Sequence, residues 1–128
     1  MFGIKKKEKK VILLVEDDAL LLEVLQTQIE NEGYKVFTVT NGLDVATSVR
    51  RHLPNLIVLD LIIPGIDGFA VLKELKGDDK LAKIPVVVLS NLDKESDIKS
   101  TIALGAKEHI VKADVKIEDI LRVIKRNL

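Results

Sequence analysis

The chain has no cysteine among its 128 residues, so it carries neither a disulfide framework nor thiolate chemistry. Aromatic residues make up only 3% of it, whereas 47% is hydrophobic, mostly Leu, Ile and Val. Its apolar content is therefore aliphatic, and a chain of this length suits one domain with a substantial core. No run approaches the ~18 apolar residues of a membrane span. The start, Met1-Phe2-Gly3-Ile4-Lys5-Lys6-Lys7-Glu8-Lys9-Lys10, has no long apolar segment after its lysines and does not read as a signal peptide. These absences make a cytoplasmic protein with no membrane insertion the expectation.

Net charge is absent too, 20 basic side chains standing against 20 acidic ones. The distribution is uneven. Five of the basic and one of the acidic residues fall within residues 1–10, which leaves 15 against 19, a net of −4, for the rest. Residues 1–10 read as a flexible, solvated lysine-rich leader and residues 11–128 as one domain. No helix-turn-helix and no aromatic-rich basic face point to nucleic acid as a direct partner.

What the chain does have is alternation. Five apolar strand candidates, Val11–Val15, Lys35–Thr40, Leu56–Asp60, Val86–Ser90 and Glu108–Lys112, are separated by helical patterns. The first helix follows Asp17 and carries Leu21, Leu22, Leu25 and Ile29 on one face, with Gly33 placed as a left-handed cap. The second spans about Leu43–His52 and is stopped by Pro54; the third starts near Asp67-Gly68 and carries Phe69, Val71, Leu72 and Leu75. The fourth runs over about Glu95–Leu104, closed by Gly105, and the last is Ile117–Asn127 with the stripe Ile117, Ile120, Leu121 and Ile124. Strict β-α alternation with short loops predicts an α/β fold, a parallel sheet with helices on both faces. Strands one, three and four are apolar almost throughout and read as interior; strand two alternates and strand five is mixed, so both suit edges.

In such a sheet functional groups gather at the carboxyl ends of the strands. Those ends offer Glu16, Asp17 and Asp18 after strand one, Asp60 after strand three, Ser90 after strand four and Lys112 after strand five. Strand two offers only Thr40-Asn41-Gly42. Carboxylates a few ångströms apart raise one another's pKa unless a cation intervenes. The available ligands are oxygens, which favours a hard ion such as Mg²⁺ over zinc. Asp60 is then a candidate nucleophile, because carboxylates form acyl phosphates. Lys112 can neutralise phosphoryl oxygens and the Ser90 hydroxyl can donate to them. Asp18 reads as the N-cap of helix one rather than a ligand, and Asp67 as the cap of helix three.

Val11-Ile-Leu-Leu-Val-Glu-Asp-Asp18, Asp60-Leu-Ile-Ile-Pro-Gly-Ile-Asp-Gly68, Val86-Val-Val-Leu-Ser90 and Gly105-Ala-Lys-Glu-His-Ile-Val-Lys112 resemble, in order, the motifs of response-regulator receiver domains. The resemblance covers essentially residues 11–128. It implies a doubly wound five-stranded parallel sheet of flavodoxin-like order 2-1-3-4-5. It further implies Asp60 as phosphoacceptor, Asp17, Glu16 and the Ile62 backbone carbonyl as metal ligands beside Asp60, Mg²⁺ (or Mn²⁺) as cofactor, and Ser90 and Lys112 in the hydroxyl and lysine positions. The implied partners are a sensor histidine kinase or phosphotransfer protein and a downstream protein it does not name. The response is expected on the face formed by helix four, strand five and helix five. Because the sequence ends after the fifth helix, it resembles the single-domain regulators.

Three departures from the pattern stand out. Ala113 follows Lys112 where receivers usually carry a proline in a cis bond; a cis peptide before alanine costs about 2.5–4 kcal/mol, so a trans bond is expected, with the Lys112 ammonium shifted and the site weakened. His109 occupies the position of a switching aromatic, so with Ser90 it is the expected switch, adding pH sensitivity; the bland alternative is a half-exposed edge histidine. Ile62 and Leu92, which flank the phosphoryl position, are apolar and predict a long-lived aspartyl phosphate. Two rival readings are a degenerate receiver that binds partners without phosphorylation and an aspartyl-phosphate phosphatase similar to haloacid dehalogenases. The latter would want an acid at Ile62.

Overall fold

The computed structural model describes residues 8–128. The expected leader therefore lies outside the described residues as far as residue 7, while Glu8, Lys9 and Lys10 are exposed and irregular. Strands β1 (Val11–Val15), β2 (Lys35–Val39), β3 (Leu56–Leu59), β4 (Val86–Ser90) and β5 (Glu108–Val111) alternate with helices α1 (Ala19–Asn31), α2 (Val45–His52), α3 (Gly68–Gly77), α4 (Glu95–Ala103) and α5 (Ile117–Arg126). All strand pairings are parallel, in the order β2-β1-β3-β4-β5. The doubly wound order is the expected one, with β2 and β5 at the edges.

The period-two alternation of strand side chains sorts the apolar runs onto two faces. Leu13, Val15, Ile57, Leu59, Val86 and Val88 pack with Val45 and Val49 of α2 and Val71, Leu72 and Leu75 of α3. Ile12, Leu14, Leu56, Val58, Val87 and Leu89 pack with Leu25 and Ile29 of α1 and Ile120, Val123 and Ile124 of α5. Because β1, β3 and β4 are buried on both faces, they read in sequence as unbroken apolar runs. Val123, absent from the expected α5 stripe, lies three residues after Ile120 and shares its buried face.

Chain ends of these elements follow from local chemistry. The Asp18 side chain accepts from the N–H groups of Leu20 and Leu21, both at 3.1 Å, and Asp67 accepts from Ala70 N–H at 3.0 Å, so both act as the expected N-caps. Gly33 and Gly105 take φ of +97° and +107° just past α1 and α4, the left-handed geometry expected of them. Leu43 does not begin α2. Asn41 accepts from Asp44 N–H at 3.1 Å and closes a 3₁₀ turn over Gly42–Asp44, after which α2 starts at Val45. Strands β2, β3 and β5 each stop one residue short of the expected bounds, leaving Thr40, Asp60 and Lys112 on the rim.

Two glycines bring the rim loops together. Gly42 N–H donates to Pro64 carbonyl at 2.8 Å, and a Cβ on Gly42 would lie 2.0 Å from the Ile66 carbonyl oxygen. Gly68 N–H donates to the Leu61 carbonyl at 2.9 Å, and a Cβ there would lie 2.4 Å from Leu61 Cα. The loop that carries Ile62 is thus pinned at both ends by backbone approaches that a side chain would block.

Candidate functional site

Parallel pairing brings the ends of β1 and β3 side by side, Val15 opposite Leu59, and Asp60 N–H donates to Val15 carbonyl at 3.1 Å. The next residues, Glu16 and Asp60, are therefore neighbours. Both are buried, at 2% and 4% exposure. A buried carboxylate needs partners, and both have them. Lys112 Nζ lies 2.7 Å from Asp60 Oδ2 and 2.5 Å from Glu16 Oε1. Asp60 Oδ1 accepts from Ile62 N–H at 3.1 Å, and Glu16 Oε2 accepts from Asp18 N–H at 3.0 Å.

Asp17, by contrast, is exposed. Carboxylate oxygens of Glu16, Asp17 and Asp60 nevertheless all lie within 4.8 Å of one another. Three carboxylates thus meet one ammonium, an excess of negative charge, and every donor is a hard oxygen. This set fits a hard divalent cation and offers no soft ligand. Ile62, whose carbonyl is the expected ligand, meets Asp60 through its N–H, which belongs to the preceding peptide unit.

The charge balance is visible in the ionisation of the pair. Burial pushes the Glu16 carboxyl above the usual carboxylate range, the Asp60 charge adds to this, and the bonds from Lys112 and Asp18 N–H offset only part. For Lys112, burial is the largest single influence and opposes the charge. Hydrogen bonds to Asp60 and Glu16, with their charges, together outweigh it and hold the ammonium above its ordinary pKa.

Ser90, fully buried at the end of β4, accepts from Leu92 N–H through Oγ at a long 3.4 Å. All described peptide bonds are trans, Lys112-Ala113 among them, as expected. With this trans bond Lys112 opens a 3₁₀ turn over Lys112–Asp114 and reaches both carboxylates. His109 is half-buried on the edge strand β5, and both ring nitrogens are engaged: Nε2 lies 2.8 Å from the Leu92 carbonyl oxygen and Nδ1 lies 2.8 Å from Thr101 Oγ1.

Two contacts were not legible in the sequence. One is the link from Lys112 to Glu16, which needs a side chain from β5 to pass over the ends of the intervening strands. The other is Thr101, a polar residue on a short helix. The sole sequence signal for it is helical spacing, which puts it on one face with Ile98, three residues earlier.

The comparisons with known proteins agree with this geometry. The family model described as the response regulator receiver domain matches residues 12–125. The polar-differentiation response regulator DivK of Brucella anthropi is 31% identical over 119 residues, covering 93% of this chain and 96% of that protein. The transcriptional regulatory protein AfsQ1 of Streptomyces coelicolor is 32% identical over 117 residues, covering 87% of this chain and 51% of AfsQ1. The chain spans about half the length of most of the curated relatives it matches, DivK being an exception. Among solved structures, the phosphorylated cyanobacterial phytochrome response regulator RcpA superposes with a TM-score of 0.80 at 33% identity, covering 92% of this chain and 90% of RcpA. With the β2-β1-β3-β4-β5 sheet, the acid cluster at its carboxyl rim and a family match over nearly the whole described chain, this protein belongs to the response-regulator receiver domain family.

Proposed function

We propose that the chain accepts a phosphoryl group on Asp60 from a phosphohistidine of a sensor histidine kinase or phosphotransfer protein, in a reaction that requires Mg²⁺. The observation that carries this reading is the arrangement of Asp60, Glu16 and Asp17 around a rim where Lys112 alone supplies positive charge among the contacts described. A carboxylate oxygen of Asp60 forms the new P–O bond while the donor's P–N bond breaks, the electron pair leaving with the imidazole. Lys112 can follow the charge, exchanging a carboxylate oxygen for a phosphoryl oxygen. Ser90 can donate its hydroxyl hydrogen to another phosphoryl oxygen, since its present bond uses the lone pairs. Glu16, Asp17, Asp60 and the Ile62 carbonyl would hold the ion, which supplies screening of charge between the carboxylates and the incoming phosphoryl group.

Access to the site is open on one side. Asp17 is exposed, Leu20 on the first turn of α1 is 73% exposed, and Ile62 is 55% exposed. This apolar fringe beside the acids offers a protein donor a surface to dock on. Among the described residues no helix is long and apolar enough to cross a membrane, and we place the protein in the cytoplasm. A downstream protein reads the result on the face of α4, β5 and α5.

Incubation with acetyl phosphate and Mg²⁺ followed by intact mass tests the reading. A gain of about 80 Da, the mass of one phosphoryl group, is expected in the wild type and not in Asp60→Asn or with chelator. No gain under any condition would leave a receiver fold without the chemistry.

A further inference from the structure

Helix α4 has an unusual seat. Its one fully buried residue is not aliphatic but Thr101, at 0% exposure. Ile98 is half-buried and Ile102 is 45% exposed. The other helices bury aliphatic side chains, such as Leu25 and Ile29 in α1 or Val71, Leu72 and Leu75 in α3. Helix α4 therefore depends far more on a polar contact than its neighbours do.

That contact is built from tertiary register. His109 pairs with Val88 across β4 and β5, and paired residues of a parallel ladder point to the same face. Val88 belongs to the core under α2 and α3, so the His109 ring turns to that face, where Thr101 meets it. The Leu92 carbonyl has no hydrogen to give, so His109 Nε2 carries a proton and donates to it. With a neutral ring, Thr101 donates its hydroxyl to Nδ1. With a charged ring, Nδ1–H donates to Thr101, whose hydroxyl then turns to the Ile98 carbonyl at 3.0 Å. Both ring contacts persist in either state.

We propose that Thr101 is a positioning residue: with His109 it forms a hydrogen-bonded latch that seats α4, and the loop after Ser90 passes its state to α4 through that latch. The path runs from Ser90 Oγ to Leu92 N–H, along the Leu92 backbone to its carbonyl, and across the His109 ring to Thr101 of α4, whose hydroxyl reaches the Ile98 carbonyl when the ring is charged. The seat rests on geometry alone; its use as a signal path rests on the phosphoacceptor reading above.

The test uses the full chain and Thr101→Val, which keeps the shape and removes the hydroxyl, with Thr101→Ser as the conservative rescue. Amide hydrogen exchange without phosphate is expected to quicken in α4 by roughly fivefold or more in Thr101→Val, as loss of a net hydrogen bond implies. Exchange in α1 and α5 should stay unchanged, and Thr101→Ser should return α4 to wild-type rates. His109→Phe should quicken α4 similarly, and the double variant should add little. Unchanged α4 exchange, or acceleration spread equally over all helices, overturns the latch. The same proteins are then treated with acetyl phosphate and Mg²⁺, with intact mass read first. If mass is gained, amide shifts should reach α4 in the wild type but stop near Leu92 in Thr101→Val; an identical α4 response in both overturns the path. If the wild type gains no mass, the phosphoacceptor reading fails and the signal path falls with it, while the seat stands or falls by the exchange rates.

Discussion

Replacing Lys112 by Met removes the ammonium that stands between Glu16 and Asp60 while keeping an unbranched apolar stem. Its partners are 2% and 5% exposed at the side chain, and Lys112 itself 16%, so the charges left behind have little access to water. Removing one partner of a buried ion pair costs about 3–5 kcal/mol. Exposure of Asp17 and the open side of the rim allow some relief, which places the expected loss near the lower end, about 3 kcal/mol. For a domain of this size that corresponds to a fall in Tm of roughly 10 °C. The pH dependence has a definite sign. In the wild type the raised Lys112 pKa stabilises the fold at all pH values below about 10.4 and is lost only as pH rises through the raised value. In the variant the Glu16 carboxyl loses the Lys112 hydrogen bond and charge that lower its pKa, so it stays raised above its unfolded value. The deficit should therefore shrink as pH falls through that raised value, where Glu16 takes up a proton. Mg²⁺ should stabilise the variant more than the wild type, because the ion no longer competes with the ammonium for the same oxygens. Urea unfolding in chelator and in excess Mg²⁺, at neutral and acid pH, measures all of this. A loss under about 1 kcal/mol in chelator, or equal gains from Mg²⁺ in both proteins, would refute the electrostatic account.

Other outcomes follow from the same contacts. Glu16→Gln should raise stability in chelator, because burial already disfavours the charged form. The raised Glu16 pKa means that stability present below its ordinary value is lost as pH climbs through the raised one, and the Gln variant should lack that loss; Mg²⁺ affinity should fall in the same titrations. Ile62→Asn should shorten the lifetime of the aspartyl phosphate by admitting and orienting water, read as phosphate release over time, and an unchanged or longer lifetime would count against the apolar-flank argument. Gly42→Ala forces a Cβ towards the Ile66 carbonyl and should cost about 1–3 kcal/mol. Gly77→Ala, whose Cβ would meet nothing within 4 Å, should be neutral or stabilising by up to about 1 kcal/mol; chemical denaturation of the pair checks both.

Much of this architecture could be read from residues in order because the decisive features are local. Strands buried on both faces announce themselves as aliphatic runs, and caps such as Asp18 and Asp67 are set by neighbours two or three residues away. Strand ends were harder: Asp60 and Lys112 look like strand termini, but their side chains and following turns belong to the rim. Leu43 looked helical because its apolar spacing is right, while the Asn41 cap one turn earlier closed a 3₁₀ turn instead. The candidate site was legible as a set of strand ends once their order was inferred. What could not be read was who pairs with whom across the sheet. Lys112 was expected to meet phosphate, and its bond to Glu16 depends on the stagger of nonadjacent strands. Thr101 carried no mark beyond its helical spacing with Ile98, since a threonine on a helix usually faces water; its role needs the register of β4 against β5.

Asp60 is the proposed destination of the phosphoryl group. Borohydride converts an aspartyl phosphate to homoserine and leaves free aspartate untouched, so the modified residue can be identified by peptide sequencing after reaction with acetyl phosphate and Mg²⁺. The account expects homoserine at residue 60 alone. Homoserine at Asp17 or Asp18, or none anywhere, would contradict it.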